Sequence, residues 1–301
     1  MRVTQQILVN RVLSNIRSQQ NTILDLQTQL ATGLRVNAPS DDPIDARRAI
    51  NTRTTIATNQ QYIDNISNTS AFLEEAATSV QTISDLLMRV RELTIQGANG
   101  TNAQEQLDSI AEEVNQLLET LLVTANHQTA GRYIFGGTRT LAEPFVATRD
   151  TDGSITAVSY EGNSEHIQVV IGAGVTVDTN EPGDAVFMDN VDLFQMLIDI
   201  RDNLLAGDQT SLQNDRLEEL EDARQQIGQV QARVGAVQNR VERVSSDLED
   251  YNLQLEELLS DSVDADFADV IIGLNAQSNA FQAALSAASS VIQPSLLDYI
   301  A

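Results

Sequence analysis

The sequence predicts a mainly α protein: a long coiled-coil helical rod built from the N- and C-terminal halves of the chain, with a small inserted β domain. Three observations carry that prediction. Apolar residues recur in heptads over five long segments, the region 131–189 switches to short alternating β-branched runs, and aromatics make up only 4% of the chain with no Trp. Sustained heptads indicate helices that pack along seams. So lean an aromatic supply suits narrow seams better than a thick interior.

The first segment places Val9, Ile16, Ile23 and Leu30 seven residues apart, with Val12 and Leu26 three further on and Gln19 interrupting. It ends at "NAPSDDPIDARR", where Asp42-Pro43-Ile44-Asp45 reads as an N-cap, a proline at the first helical position and an acid in the first turn. A second seam then runs Tyr62, Ile66, Thr69, Leu73, Ala76, Val80, Ile83, Leu87, Val90. "QGANGTNAQ" is a Gly/Asn turn, so the third seam, Leu107, Ile110, Val114, Leu117, Leu121, should return antiparallel to the second.

From Gly131 the period changes. "SITAVSY", "HIQVVI" and "GVTVD" read as strands of one small meander, separated by "DTDG", "EGNSE", "GAG" and "NEPGD". Helix resumes at "DLFQMLIDIRDNLLAGD", with Gly207 as its C-cap. The longest seam follows: Ile227, Val230, Val234, Val237, Val241, Val244, Leu248, Tyr251, Leu255, Leu258. The stretch from 214 to 259 should span about 65 Å at 1.5 Å per residue. Val is a weaker helix former than Ala by about 0.6 kcal/mol, so this seam is stable mainly when packed. The last segment alternates Phe267, Leu274, Phe281 and Ala288 with Ile271, Ser278, Leu285 and Ile292.

The formal charge of −25 argues against nucleic acid, which needs a basic face. All 18 basic residues are Arg, a composition compatible with a high-salt habitat. Charge is unevenly placed. Residues 1–60 carry seven Arg against four Asp, whereas 247–301 carry ten acids and no base. The chain ends are electrostatic complements. With no Cys, neither disulfides nor thiolate chemistry is available. No run reaches the length of a membrane span, and "MRVTQQILVNRVLSNIRSQQ" lacks the apolar core of a Sec signal.

Catalytic chemistry finds little support. His127 and His166 are the only histidines, far apart in sequence and better read as polar surface residues than as a dyad. Asp150, Asp152 and Gly153 suggest a calcium loop, yet aligning the glycine puts Thr148 and Ser159 where acids are required, so a hairpin turn is the better reading. "IFGGT" lacks the Lys and helix pattern of a nucleotide loop. Glu218, Glu219, Glu256 and Glu257 read as solvated helix faces away from the seam. No cofactor and no metal site is expected.

Three stretches carry a resemblance. "LATGLRVNAPSDDPIDARRAI", with Pro39, Ser40, Asp41, Asp42 and Pro43, and "RVRELTIQGANGT", with Arg89, Arg91 and Glu92, resemble the N-terminal motifs of the bacterial flagellin superfamily. Those two alone fit a filament-forming flagellin. "HQTAGRYIFGGTRTLAEPF", with Gly131, Arg132, Tyr133, Phe135, Gly136 and Gly137, is similar to the hook-filament junction branch of hook-associated proteins in that superfamily. The ending "SVIQPSLLDYI" suits either.

The resemblance implies a structural, non-enzymatic subunit of the bacterial flagellum, exported by the flagellar type III apparatus with a chaperone. It would form a ring of identical subunits between flagellin and the first hook-associated protein, outside the cell, with no nucleic acid or membrane partner. It also implies three layers: terminal helices 1–42 and 262–301 innermost, a rod of 43–130 and 190–261, and the insert 131–189 outermost. The terminal stripes are half-seams, so they should be disordered in free monomer and form the assembly interface through Val9, Ile16, Ile23, Leu30, Phe267, Leu274, Phe281 and Leu285. Ile227, Val234, Val241, Leu248 and Leu255 should hold the rod.

Overall fold

The computed structural model describes residues 2–292. Its long helices are α1 (Arg2–Thr32), α2 (Pro43–Gly97), α3 (Gln104–Ala125), α5 (Leu193–Ala206), α7 (Leu217–Val263) and α8 (Phe267–Ile292). Between α3 and α5 lie strands β1 (Gln128–Thr129), β2 (Arg132–Tyr133), β3 (Phe145–Arg149), β4 (Ile155–Tyr160), β5 (Gln168–Gly172) and β6 (Val175–Asp178), then the short α4 (Gly183–Phe187). A single turn, α6 (Gln209–Ser211), and a π-helical turn (Leu212–Arg216) lead into α7. The fold is mainly α with a small inserted β region. Two compact units result, one from residues up to Thr58 and from Asp250 onward, the other Asn59–Glu249.

In the Asn59–Glu249 unit, the heptad reading of α2 holds from Ile66 to Val90, all of whose seam residues are buried. Arg89 bonds Glu113 at 2.6 Å and Glu75 meets His127 at 3.3 Å, so α2 and α3 run antiparallel across the "QGANGTNAQ" turn. Gln81 and Gln231 bond at 2.9 Å, and Ala98 O accepts from Gln213 at 2.6 Å, which sets α7 antiparallel to α2 as well. Helix α5 packs closely on α3. It begins at Asp192, whose carboxylate accepts from the amides of Phe194 and Gln195, and it ends at Gly207 with φ 69°.

The β region differs from the expected meander. Its strands form three separate antiparallel hairpins, β1–β2, β3–β4 and β5–β6. Sequence reading found β4, β5 and β6 but missed β3 and the small β1–β2 pair. The reason lies in what the strand edges bond. Arg201 of α5 donates to Ile155 O at 2.8 Å, and Asn65 of α2 donates to Val170 O at 2.9 Å, so helices supply partners that a neighbouring strand would otherwise provide.

Four of the seven phenylalanines meet where the hairpins reach the helices. Phe135 packs edge-on to Phe187 at 5.2 Å, Phe145 lies 4.9 Å from Phe187, and Phe194 of α5 stacks on Phe187 at 5.5 Å. All four are buried, within one apolar cluster that also holds the α2, α3 and α7 seams. With Tyr160, 5.0 Å from Phe145, they form one aromatic knot, while Tyr62, Phe72, Tyr251, Phe267 and Phe281 lie along the long helices.

On α7, Ile227, Val230, Val234 and Val241 are buried, with Val237, Val244 and Leu248 packed against them. Past Leu248 the buried row steps on by one residue. Tyr251 and Leu258 are exposed, while Asn252 is buried, Leu255 half-buried and Leu259 packed on Val263. A straight helix drifts by roughly 20° per heptad against a strict seven-residue repeat. From Ile227 to Asn252 that drift reaches about 70°, more than half of the roughly 100° between adjacent residues, so the next residue takes the inward place.

Candidate assembly surfaces

The other unit contains the chain ends. Helix α1 packs along α8, and the order is antiparallel: Gly33 lies against the Phe267 ring, and Leu26 lies against Gly273. The expected α1 stripe, Val9, Ile16, Ile23 and Leu30, is half-buried throughout, as are Val12, Gln19 and Leu26. On α8, Leu274 and Phe281 are half-buried and Ala288 is buried, joined by Val270. Phe267 and Leu285 stand apart, 53% and 45% exposed, with Ile271 and Ile272 also exposed. Helix α1 likewise shows Ile7, Leu13 and Leu24 to solvent. Each helix thus has one apolar row against its partner; α8 leaves a second row uncovered, Phe267, Ile271 and Leu285, and α1 leaves separate apolar side chains uncovered. Residues 293–301, with most of "SVIQPSLLDYI", lie outside the described residues.

The "NAPSDDPIDARR" motif fastens this unit. Gly33 adopts φ 75° and ends α1. Leu34 then pairs with Asp264 in an isolated bridge, and the Arg35 amide donates to Val263 O at 2.7 Å. The Arg35 guanidinium reaches Asp45 at 2.6 Å and Ser262 O at 2.7 Å. Asp41 accepts from the Asn37 and Ala38 amides at 3.1 and 2.8 Å, and Asp42 caps α2 through the Ile44 and Asp45 amides at 3.0 and 3.1 Å. Those amide bonds hold both carboxyls below the usual range. Pro43 sits at the first helical position, while Pro39 and Ser40 are exposed on the loop.

The other two motifs also serve the fold. Arg89 bridges Glu92 at 2.9 Å and Glu113, joining α2 to α3, whereas Arg91 is exposed. In "GRYIFGG", Ala130 (φ 49°) and Gly131 (φ 76°) make a two-residue hairpin turn between β1 and β2. Arg132 is exposed and Tyr133 half-buried. Phe135 is fully buried, and its carbonyl accepts from the Gly183 amide at 2.9 Å and the Tyr160 hydroxyl at 3.0 Å. At Gly137 (φ 65°) a Cβ would fall 2.1 Å from Asn163 O, and at Gly136 2.8 Å from Arg139 O. Here Gly is needed for close approach, not for a phosphate.

The two histidines have different partners. His127 lies by Glu75, and His166 bonds the Asn180 carbonyl at 3.0 Å. Among the described residues no group of three or more His, Asp or Glu could hold a metal, and no helix is long and apolar enough to cross a membrane. Asp150 accepts from the Asp152 and Ser154 amides, closing the β3–β4 hairpin as a turn. Glu218, Glu256 and Glu257 are exposed, and Glu219 is half-buried beside Arg216.

The class these features define is a helical protein whose first and last segments pair and present uncovered apolar side chains. Residues 3–140 match the bacterial flagellin N-terminal helical region, and residues 217–300 match the bacterial flagellin C-terminal helical region. The chain belongs to the bacterial flagellin family. It is 28% identical over 229 residues to flagellar hook-associated protein 3 of Salmonella typhimurium, covering 73% of this chain and 70% of that one. A flagellin of Salmonella muenchen is 33% identical over 137 residues, 45% of this chain but 26% of the flagellin. In fold the chain is similar to a putative flagellar hook-associated protein from Vibrio parahaemolyticus, with a TM-score of 0.67, 20% identity, and coverage of 74% of this chain and all of that one.

Proposed function

We propose that this protein is a structural adapter of the bacterial flagellum, joining the hook, through the first hook-associated protein, to the flagellin filament. The observation that carries the reading is the span of the similarity. The hook-associated relative aligns over 73% of this chain, and the flagellin over 45%. The uncovered apolar side chains on α1 and α8 supply a physical reason for assembly, since apolar faces without a wall gain one from neighbouring subunits. The subunit would be exported by the flagellar type III apparatus with a chaperone, form a ring of identical copies outside the cell, and catalyse no reaction.

Deleting the gene tests this. The expected cells keep the hook, lose motility and shed flagellin into the medium. Normal filaments on the deletion strain would overturn the reading. Loss of all filament protein from cells and medium alike would favour a flagellin, the filament subunit itself.

A further inference from the structure

Near its start, α2 carries an exposed face on which two isoleucines flank an arginine: Ile44, Arg47 and Ile50, three residues apart. Ile44 is 71% and Ile50 59% exposed. The opposite side of the helix is already used, because Ala46 and Ala49 pack with Val36, Leu259 and Val263. Arg35 and Arg48 are paired to Asp45. Arg47, exposed on this face, makes no ion pair with any described residue.

Near its end, α7 carries the converse. Leu253 is 64% exposed and lies between Asp250 and Glu257, with Asp261 four residues beyond Glu257 on the same face. At 100° per residue, Asp250, Leu253, Glu257 and Asp261 all point away from the buried Asn252, Ser262 and Val263. None of these three acids has an ion-pair partner among the described residues, and no base follows Arg243.

We propose that these two faces are the halves of one contact between copies of this chain: the Ile44/Arg47/Ile50 face of one copy seats on the Asp250/Leu253/Glu257/Asp261 face of the next. The occupant is a second copy because each face carries what the other lacks. Isoleucines on one meet the leucine of the other, and an unpaired guanidinium meets unpaired carboxylates. The two faces differ, so the contact is heterologous, and repeated head-to-tail it closes a ring or continues as a helix. An isologous dimer would set either face on itself, with like charges opposed. The inference rests on the proposed ring of identical subunits and names the surfaces that build it. The apolar contact gives adhesion, and the charges select the partner and make association sensitive to salt.

Since the natural chain has no Cys, single cysteines report the contact cleanly. Full-length I50C and L253C chains are purified, mixed in equal amounts and treated with a short bis-maleimide. Both sites are exposed, so neither substitution opens a core. The mixed dimer is expected to exceed both self-dimers, and also the dimer of I50C with L141C, whose Leu141 is 84% exposed elsewhere. R47E added to the I50C chain should lower the yield by about three-fold, and E257R on its L253C partner should restore it. Raising salt from about 0.1 M to 1 M shortens the screening length from about 10 Å to 3 Å and should weaken the cross-link. Equal yields in every pairing, dominant I50C self-dimers, or no rescue by the double reversal would overturn the contact. A preferred cross-link with normal filaments on the deletion strain would keep the contact and reject the junction reading. Filament loss on deletion without the cross-link would do the reverse.

Discussion

Arg149 grips Glu119 through two parallel guanidinium–carboxylate bonds, one of them 2.8 Å, and so ties strand β3 to helix α3. The same guanidinium donates to Gly153 O at 3.0 Å, holding the β3–β4 turn against that helix. Arg149 is the main cause that holds the Glu119 carboxyl below its usual range, with burial opposing.

A pH prediction follows from that sign. A carboxyl lowered in the folded state stabilises above its unfolded pKa, and the stabilisation disappears as pH falls through the lowered folded value. The pair is partly exposed, so it should contribute no more than about 1 kcal/mol. Arg149→Gln should therefore lower Tm slightly at neutral pH, with the gap to the parent closing in acid below the carboxylate range. A gap that stays constant with pH would assign Arg149 a packing role instead.

Asp192 has the opposite sign. Burial raises its carboxyl above the usual range, against the two amide bonds it accepts as the N-cap of α5, and Asp199 adds to the rise. The charged form is therefore carried at a cost above the raised pKa, and that cost disappears as pH falls below the unfolded value. Asp192→Asn keeps a capping oxygen without the charge, so by urea unfolding it should match or exceed the parent at neutral pH. The Asn advantage should vanish in acid. Asp192→Ala loses the cap and should cost about 0.5–2 kcal/mol.

Phe135→Ala should destabilise the Asn59–Glu249 unit by about 3–5 kcal/mol, because it empties a fully buried position beside Phe187 in the aromatic knot. Gly137→Ala should also destabilise, by about 1–3 kcal/mol, through a disfavoured backbone region and the approach of Asn163. Thermal unfolding checks both. A wild-type Tm in either variant would show that "GRYIFGG" matters for surface recognition rather than for the fold.

For the terminal helices, burial should outweigh charge. Phe281 is half-buried on α8 and Arg17 is exposed on α1. Burying a large apolar side chain contributes about 1.5–3 kcal/mol, against less than 1 for an exposed ion pair. Phe281→Asp should block incorporation into the flagellum while secretion persists, and Arg17→Glu should weaken it mildly and in a salt-dependent manner. The ratio of cell-bound to secreted protein decides, and a larger effect of Arg17→Glu would reverse the ranking. In dilute monomer, amides 5–30 should exchange faster than those of residues 66–90, since the first seam is half-buried and the second fully buried.

Periodicity and punctuation were legible in the amino-acid order because they depend on neighbours in the chain. Heptads gave the seams from Ile66 to Val90 and from Ile227 to Leu248, Asp42-Pro43 gave the start of α2, and Gly207 gave the end of α5. Relations between distant residues were not. Whether Tyr251 or Asn252 faces inward depends on helical drift accumulated along α7. Three hairpins replace a meander because Arg201 and Asn65, on helices far along the chain, bond to strand carbonyls. The glycines of "GRYIFGG" are required by the later Asn163 and by the return of Arg139, approaches that local spacing does not encode. The sequence by itself determined which stretches are helical and where they break. The tertiary structure decided which of two apolar rows is buried, since a row is covered only when another element is brought against it.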